Sequence, residues 1–190
     1  MLVGPGREDY LGRILGQIPK NRWSLAACPK GNWLLCRFPW LASGSDLLWS
    51  PTSLTQDLPG LTEAQFEHER ILAGRPWPSD WGEKTMFLEI AEEHDYLDGK
   101  GCYPGQEVVA RTLHRGHINR HLWTLRTAAP VAVKSKLLKD GKEVGWISAV
   151  SQLDGYPCLG FLRREVQELN LELATECGTT AWVTAPVRED

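Results

Sequence analysis

Two Asp-Gly pairs, Asp140-Gly141 and Asp154-Gly155, each stand between short runs of alternating apolar and polar residues. Both members of such a pair tolerate positive φ, which makes it the strongest short-range signal for a two-residue β-hairpin. "KLLKDGKEVGWISAV" and "SQLDGYPCLGFL" carry the pairs, and "LNLELATECGTTAWVTA" reads as two more strands around Gly178. Four or five strands within about 65 residues predict a small β-barrel or sandwich. This strand-rich region is expected to span residues 123–190.

The preceding residues, 1–122, have a different texture. Leu11, Ile14, Leu15 and Ile18 recur at helical spacing and predict a helix over Arg7–Ile18, stopped by Pro19. "WSLAAC" and "WLLCRF", separated by "PKGN", read as a hairpin, and "DLLWS" as a third strand. Thr62 with Gln65 three residues later forms a capping-box pattern, with Leu61 placed to staple onto Phe66 and Gly74 and Pro76 ending the helix. Hairpin signals outnumber βαβ patterns, so this part is expected to be a mixed α+β layer with an antiparallel sheet. The fold class is therefore α+β with a C-terminal barrel.

With 42% hydrophobic and 24% charged residues, the 190-residue chain has an ordinary globular composition. A net charge of −3 excludes a general polyanion binder, so direct nucleic-acid binding is not expected. No apolar run approaches the roughly 18–20 residues of a membrane helix. The N-terminus lacks a signal peptide's basic start and long apolar core, so a cytoplasmic location is expected. Five scattered cysteines make no disulfide framework, and most are expected to be buried small hydrophobes. The nine tryptophans are read as core and loop packing, with stacking on a flat ligand as the alternative.

Charge is unevenly placed. Glu83, Glu89, Glu92, Glu93, Asp95 and Asp98 are followed by a carboxylate-free interval between Glu107 and Asp140 that contains Arg111, Arg115, Arg120, Arg126, Lys134, Lys136 and Lys139. This is a solvated basic face or a local anion site. At the junction stands "KGCYPGQE". Pro104 and Gly105 can make a tight turn, and "QEVVARTL" reads as a helix with Glu107 and Arg111 at the favourable i, i+4 spacing. Cys102 thus precedes a helix N-terminus, where backbone N–H groups carry partial positive charge, and Lys100 lies two residues before it. Both effects favour thiolate. Two readings stay open: a reactive thiol, or a buried cysteine in a glycine-flanked turn. His114, His117 and His121 would share a helical face, but Gly116 interrupts it and no cysteine or carboxylate completes a metal set. No metal site is expected, and the histidines are read as exposed or anion-contacting.

"KGCYPGQEVVAR" resembles the K-G-C-F/Y-x-G-Q-E-x-x-x-R motif of the YgfZ-like folate-binding proteins, relatives of the glycine-cleavage T-protein (aminomethyltransferase). "ERILAGRPW" resembles the family's E-R-x-x-x-G-x-P segment, "EKTMFLEIA" its acidic stretch (without the usual proline), and "HRGHINRHLWTL" its basic run. Against the family pattern the chain is expected to lack the N-terminal third of the ring-shaped body. The resemblance implies an accessory factor for iron–sulfur enzyme maturation or repair, including tRNA-modifying enzymes, rather than an enzyme. Tetrahydrofolate would be its cofactor, and an iron–sulfur client protein or assembly factor its partner, with room for an oligomer. Cys102 would be the reactive thiol and Lys100 its promoter, while Gly101, Tyr103, Gly105, Gln106, Glu107 and Arg111 would build the motif. Arg115, Arg120 and Glu89 are further ligand-binding candidates. A folate-dependent aminomethyltransferase and a non-catalytic protein- or RNA-binding module are the alternatives.

Overall fold

Leu11 and Leu15 are buried on the first helix, as their spacing predicts, but the helix spans Arg7–Leu15 and ends before Ile18. The computed structural model describes all residues except 17, 19, 22–23, 28–33, 38–39, 50–57, 92–100, 154 and 188–190. Met1–Ala73 and Gly74–Asp190 form two compact units.

In the first unit, β1 (Leu2–Val3), α1 (Arg7–Leu15), β2 (Leu25–Ala27), β3 (Leu34–Arg37) and β4 (Ser45–Trp49) build an antiparallel sheet of order β1-β4-β3-β2 beside one helix. The expected hairpin forms between β2 and β3, although its Pro-Gly-Asn turn lies outside the described residues. Leu2, Leu11, Leu15 and Leu35 make the core, flanked by Tyr10, Ile18 and Leu48. Beside them Asp46 is only 1% exposed. Its Oδ2 pairs with Arg7 Nε and its Oδ1 with Arg37 Nε, each at 3.1 Å. An uncompensated buried carboxylate would cost several kcal/mol, so the two guanidiniums are what permit Asp46 in this core. Arg37 also reaches Glu8 at 2.6 Å.

The next helix, α2 (Glu63–Leu72), carries the expected capping box. The Gln65 N–H donates to Thr62 Oγ1 at 3.2 Å, and the Thr62 N–H donates to Gln65 Oε1 at 3.0 Å. Leu61 is 42% exposed. The helix buries Ile71 and Arg70, the latter paired with Glu67. Glu69 ties it to the loop before β4 by accepting from the Ser43 N–H at 2.7 Å and, through its carbonyl, from the Ala42 N–H at 3.2 Å.

In the second unit, 3₁₀ turns at Pro78–Asp80 and Phe87–Glu89 and α3 (Gln106–Arg115) precede six strands. These are β5 (Arg120–Thr127), β6 (Lys136–Lys139), β7 (Lys142–Val150), β8 (Pro157–Arg163), β9 (Glu172–Thr175) and β10 (Thr180–Pro186). They close into an antiparallel barrel of order β10-β5-β8-β7-β6-β9. Asp140 and Gly141, at φ 52° and 75°, make the expected tight turn between the paired Lys139 and Lys142. The second Asp-Gly pair behaves differently. β7 ends at Val150 and β8 begins at Pro157, so residues 151–156 form a longer connection, braced by the Ser151 N–H donating to Pro157 O at 2.9 Å. Asp154 itself lies outside the described residues.

Trp123, Leu125, Leu137, Ile147, Leu162 and Val183 belong to the barrel core. β8 is buried on both faces from Pro157 to Leu162. Two of its contacts demand glycine. A Cβ on Gly145 would lie 2.1 Å from Phe161 O, and one on Gly160 would lie 2.8 Å from Leu125 Cδ1 and 2.9 Å from Trp146 O. Neighbouring strands therefore approach as closely as bare backbone allows.

Gly145→Ala should destabilise the barrel by about 1–3 kcal/mol, the usual cost of overpacking; a melting temperature equal to wild type would contradict this contact. The ion pair of Glu8 gives a second expectation. Hydrogen bonding to Arg37, its largest cause, followed by the charge of Arg37, lowers the Glu8 pKa below its ordinary 4.5. A lowered folded-state pKa stabilises the fold above the ordinary value, and that stability is lost as pH falls through the lowered one. Wild type should therefore exceed Glu8→Gln in stability at neutral pH, by a margin that closes in acid unfolding below about pH 4.5.

Candidate functional site

The segment Gly101–Arg115 is a turn followed by a helix, as its sequence predicts. The Gln106 N–H donates to Tyr103 O at 3.2 Å. Gly105, at φ 85°, caps α3, its carbonyl accepting from the Val108 and Val109 N–H groups at 3.1 and 3.2 Å. No residue of α3 is buried. Gly101 and Cys102 are exposed, Tyr103 and Gln106 half-buried, and Glu107, Arg111 and Arg115 exposed. Among the described residues no ion pair joins Glu107 to Arg111. Lys100 lies outside the described residues, as do Glu92, Glu93, Asp95, Asp98 and His94.

The geometry at Cys102 is that of an accessible thiol. It is exposed, in the glycine-flanked turn that precedes α3.

Glu89 and Arg120, distant in sequence, meet. Glu89 is buried, and its Oε1 lies 2.8 Å from Arg120 Nε, while its Oε2 accepts from the Met86 N–H at 3.1 Å. The Nε–H bond does not point squarely at the carboxylate, so the contact is chiefly Coulombic. The Arg120 guanidinium also lies 4.8 Å from the ring centroid of Trp146 and 5.8 Å from that of Phe161, two rings that stack on each other at 4.9 Å. Cation–π attraction and the carboxylate hold it from two sides. The pair fastens the Phe87–Glu89 turn to the start of β5. Two residues expected to bind a ligand thus satisfy each other.

Sequence reasoning missed a second exposed thiol. Cys177 occupies the β9–β10 turn, where Thr175 Oγ1 lies 3.1 Å from its sulfur and Thr179 Oγ1 at 3.7 Å. The Thr175 hydroxyl, then the Thr179 N–H and hydroxyl, lower its pKa. The flanking pattern Thr-x-Cys-x-Thr was the available signal. Cys158 is the opposite case: burial pushes its thiol up to about 12. Cys36 is half-buried, and Cys28 lies outside the described residues. The expectation that most thiols are buried therefore fails, because two of the four described cysteines sit in turns rather than on core faces.

Among the described residues no group of three His, Cys, Asp or Glu could hold a metal ion, and no helix is long and apolar enough to cross a membrane.

The architecture resembles the crystal structure of the glycine cleavage system aminomethyltransferase T from Bartonella henselae, with a TM-score of 0.68 over 93% of this chain and 55% of that one, at 15% identity. Two curated relatives agree. One is the "tRNA-modifying protein YgfZ" of Klebsiella pneumoniae (strain 342), 39% identical over 94 residues, covering 44% of this chain and 28% of the relative. The other is "Putative transferase At1g60990, chloroplastic" of Arabidopsis thaliana, 28% identical over 130 residues, covering 66% of this chain and 30% of the relative. No protein-family model matches. In fold the chain is thus similar to the T-protein and in sequence to these two curated relatives, of whose length it spans less than a third.

Native alkylation at pH 8 should modify Cys102 and Cys177 and leave Cys158 untouched, since a thiol titrating near 12 is ionised there to only about one part in ten thousand. Peptide mapping after a short pulse checks this. Prompt labelling of Cys158 without unfolding would contradict its burial.

Proposed function

We propose that the chain is a YgfZ-like accessory factor that supports iron–sulfur enzymes through the thiol of Cys102. The observation that carries this reading is the exposure of Cys102 on a glycine-flanked turn ahead of α3, inside the stretch most like the YgfZ motif. An exposed thiol there can ligate a soft metal, or exchange with a client's disulfide or persulfide by attack on one sulfur with release of the other as the client's thiolate. Exposed Glu107 and Arg111 would face the client.

Tetrahydrofolate, the cofactor that the resemblance offers, fits the present arrangement poorly. Glu89 and Arg120 neutralise each other, and the Arg120 guanidinium covers the Trp146 ring that could have stacked on a pterin. A folate would have to part this pair.

The T-protein-like fold and the plant relative described as a transferase favour a second reading, a folate-dependent aminomethyltransferase. Against it stands the buried carboxylate: Glu89 is engaged by Arg120 and the Met86 N–H and is poorly placed to serve as a general base.

One set of measurements separates the readings. Cys102→Ala should leave the thermal melt within about 0.5 kcal/mol of wild type, as for an exposed side chain, and should abolish support of a client iron–sulfur enzyme in cells lacking the endogenous factor. Wild-type protein mixed with tetrahydrofolate and an aminomethyl donor should release no ammonia. Full support by Cys102→Ala would overturn the thiol reading, and ammonia release would establish the transferase.

A further inference from the structure

Two of the three histidines of "HRGHINRH", His117 and His121, line a cavity at one end of the barrel. After α3 the chain turns through His117 and Ile118, and the Arg164 N–H donates to Asn119 O at 3.0 Å. This bond sets the start of β5 against the 3₁₀ turn Arg164–Val166, and the register pairs Arg120 with Arg163 and His121 with Leu162. Between them opens a cavity of about 380 Å³, lined by His117, His121, Trp123, Arg164 and Gln167, with Ile118 and Pro186 as apolar wall.

The polar lining is unbalanced. Among the described residues it contains no carboxylate. Arg164 is exposed and has no carboxylate partner among the described residues. The Gln167 amide nitrogen is already engaged, donating to Leu162 O at 2.8 Å. Trp123 is 8% exposed, and its indole N–H is sealed from solvent with no acceptor among the described residues. A buried donor without an acceptor is costly. Imidazole rings donate N–H in either protonation state, and a guanidinium grips oxyanions in a fork of two bonds. The described lining thus carries a guanidinium and N–H donors without an anionic acceptor, and its volume suits a small molecule.

We propose that this cavity binds the oxyanion of a small organic acid or phosphate ester, gripped by Arg164, His117 and His121, with the ligand body against Trp123, Ile118 and Pro186. The proposal goes beyond the thiol reading and does not depend on Cys102.

The test is an NMR titration of the full chain labelled with ¹⁵N, at constant ionic strength, with inorganic phosphate in one arm and succinate in the other. Trp123→Phe assigns the Trp123 indole N–H among the nine tryptophans. A saturable shift of that resonance is expected in at least one arm, and the responding arm tells phosphate from carboxylate. Arg164→Gln, which changes an exposed side chain, should raise the half-saturating concentration by about tenfold or more, the scale of a lost charge-assisted fork. Arg126→Gln, at the opposite end of β5 over the Trp182 ring, should leave it unchanged. The proposal is overturned by the absence of saturation in both arms up to about 50 mM. It is equally overturned if Arg164→Gln binds like wild type, or if Arg126→Gln weakens binding as much as Arg164→Gln does.

Discussion

A barrel of six strands has little interior, and closing it requires neighbouring backbones to come nearer than side chains normally permit. Gly145 against Phe161 O and Gly160 against Leu125 and Trp146 are where that approach occurs. Once closed, the barrel buries both faces of β8 and presents the stacked Trp146–Phe161 pair as a platform for Arg120. Arg120 in turn receives Glu89 and so fixes the Phe87–Glu89 turn. The polar architecture of the second unit descends from that closure.

Charges in this protein fall into two groups with different chemistry. Asp46 with Arg7 and Arg37, and Glu89 with Arg120, are buried or half-buried and mutually compensated, so they contribute to order rather than to reactivity. Glu107 and Arg111 of the motif around Cys102, and Arg164 at its cavity, have no ion-pair partner among the described residues and are exposed. Chemistry with an outside molecule is open to the second group, which is why the thiol and the cavity, and not the acidic stretch, carry the functional reading.

Local signals were readable in the sequence because their physics is local. The Asp140-Gly141 turn, the Thr62–Gln65 capping box and the turn-then-helix form of "CYPGQEVVAR" each depend on residues within one helical turn or hairpin. What stayed hidden depends on residues far apart in the chain. Asp46 reads as the polar start of a strand, and only the approach of Arg7 and Arg37 makes it a buried anchor. Glu89 and Arg120 were both singled out as ligand-binding candidates, but nothing in either one's neighbours says that they bind each other. The exposure of Cys177 is set by a strand register that a small apolar-looking residue does not betray. The basic interval was legible as charge, while its division into a paired arginine and a cavity lining was not.

The order of strands around the barrel has a kinetic consequence. β5 is the first barrel strand to leave the ribosome, yet its neighbours are β8 and β10, and β10 is the last. Only β6–β7, β7–β8 and β9–β10 can zip from sequence-adjacent strands. The remaining seams join strands distant in sequence, a topology that carries a high loop-closure cost and slow folding. During synthesis β5, with Leu122, Trp123 and Leu125, must wait for β8 to gain its first neighbour and for the chain beyond Thr180 to gain its second. The interval in which this protein is most exposed to aggregation is therefore set by translation speed as much as by its own stability.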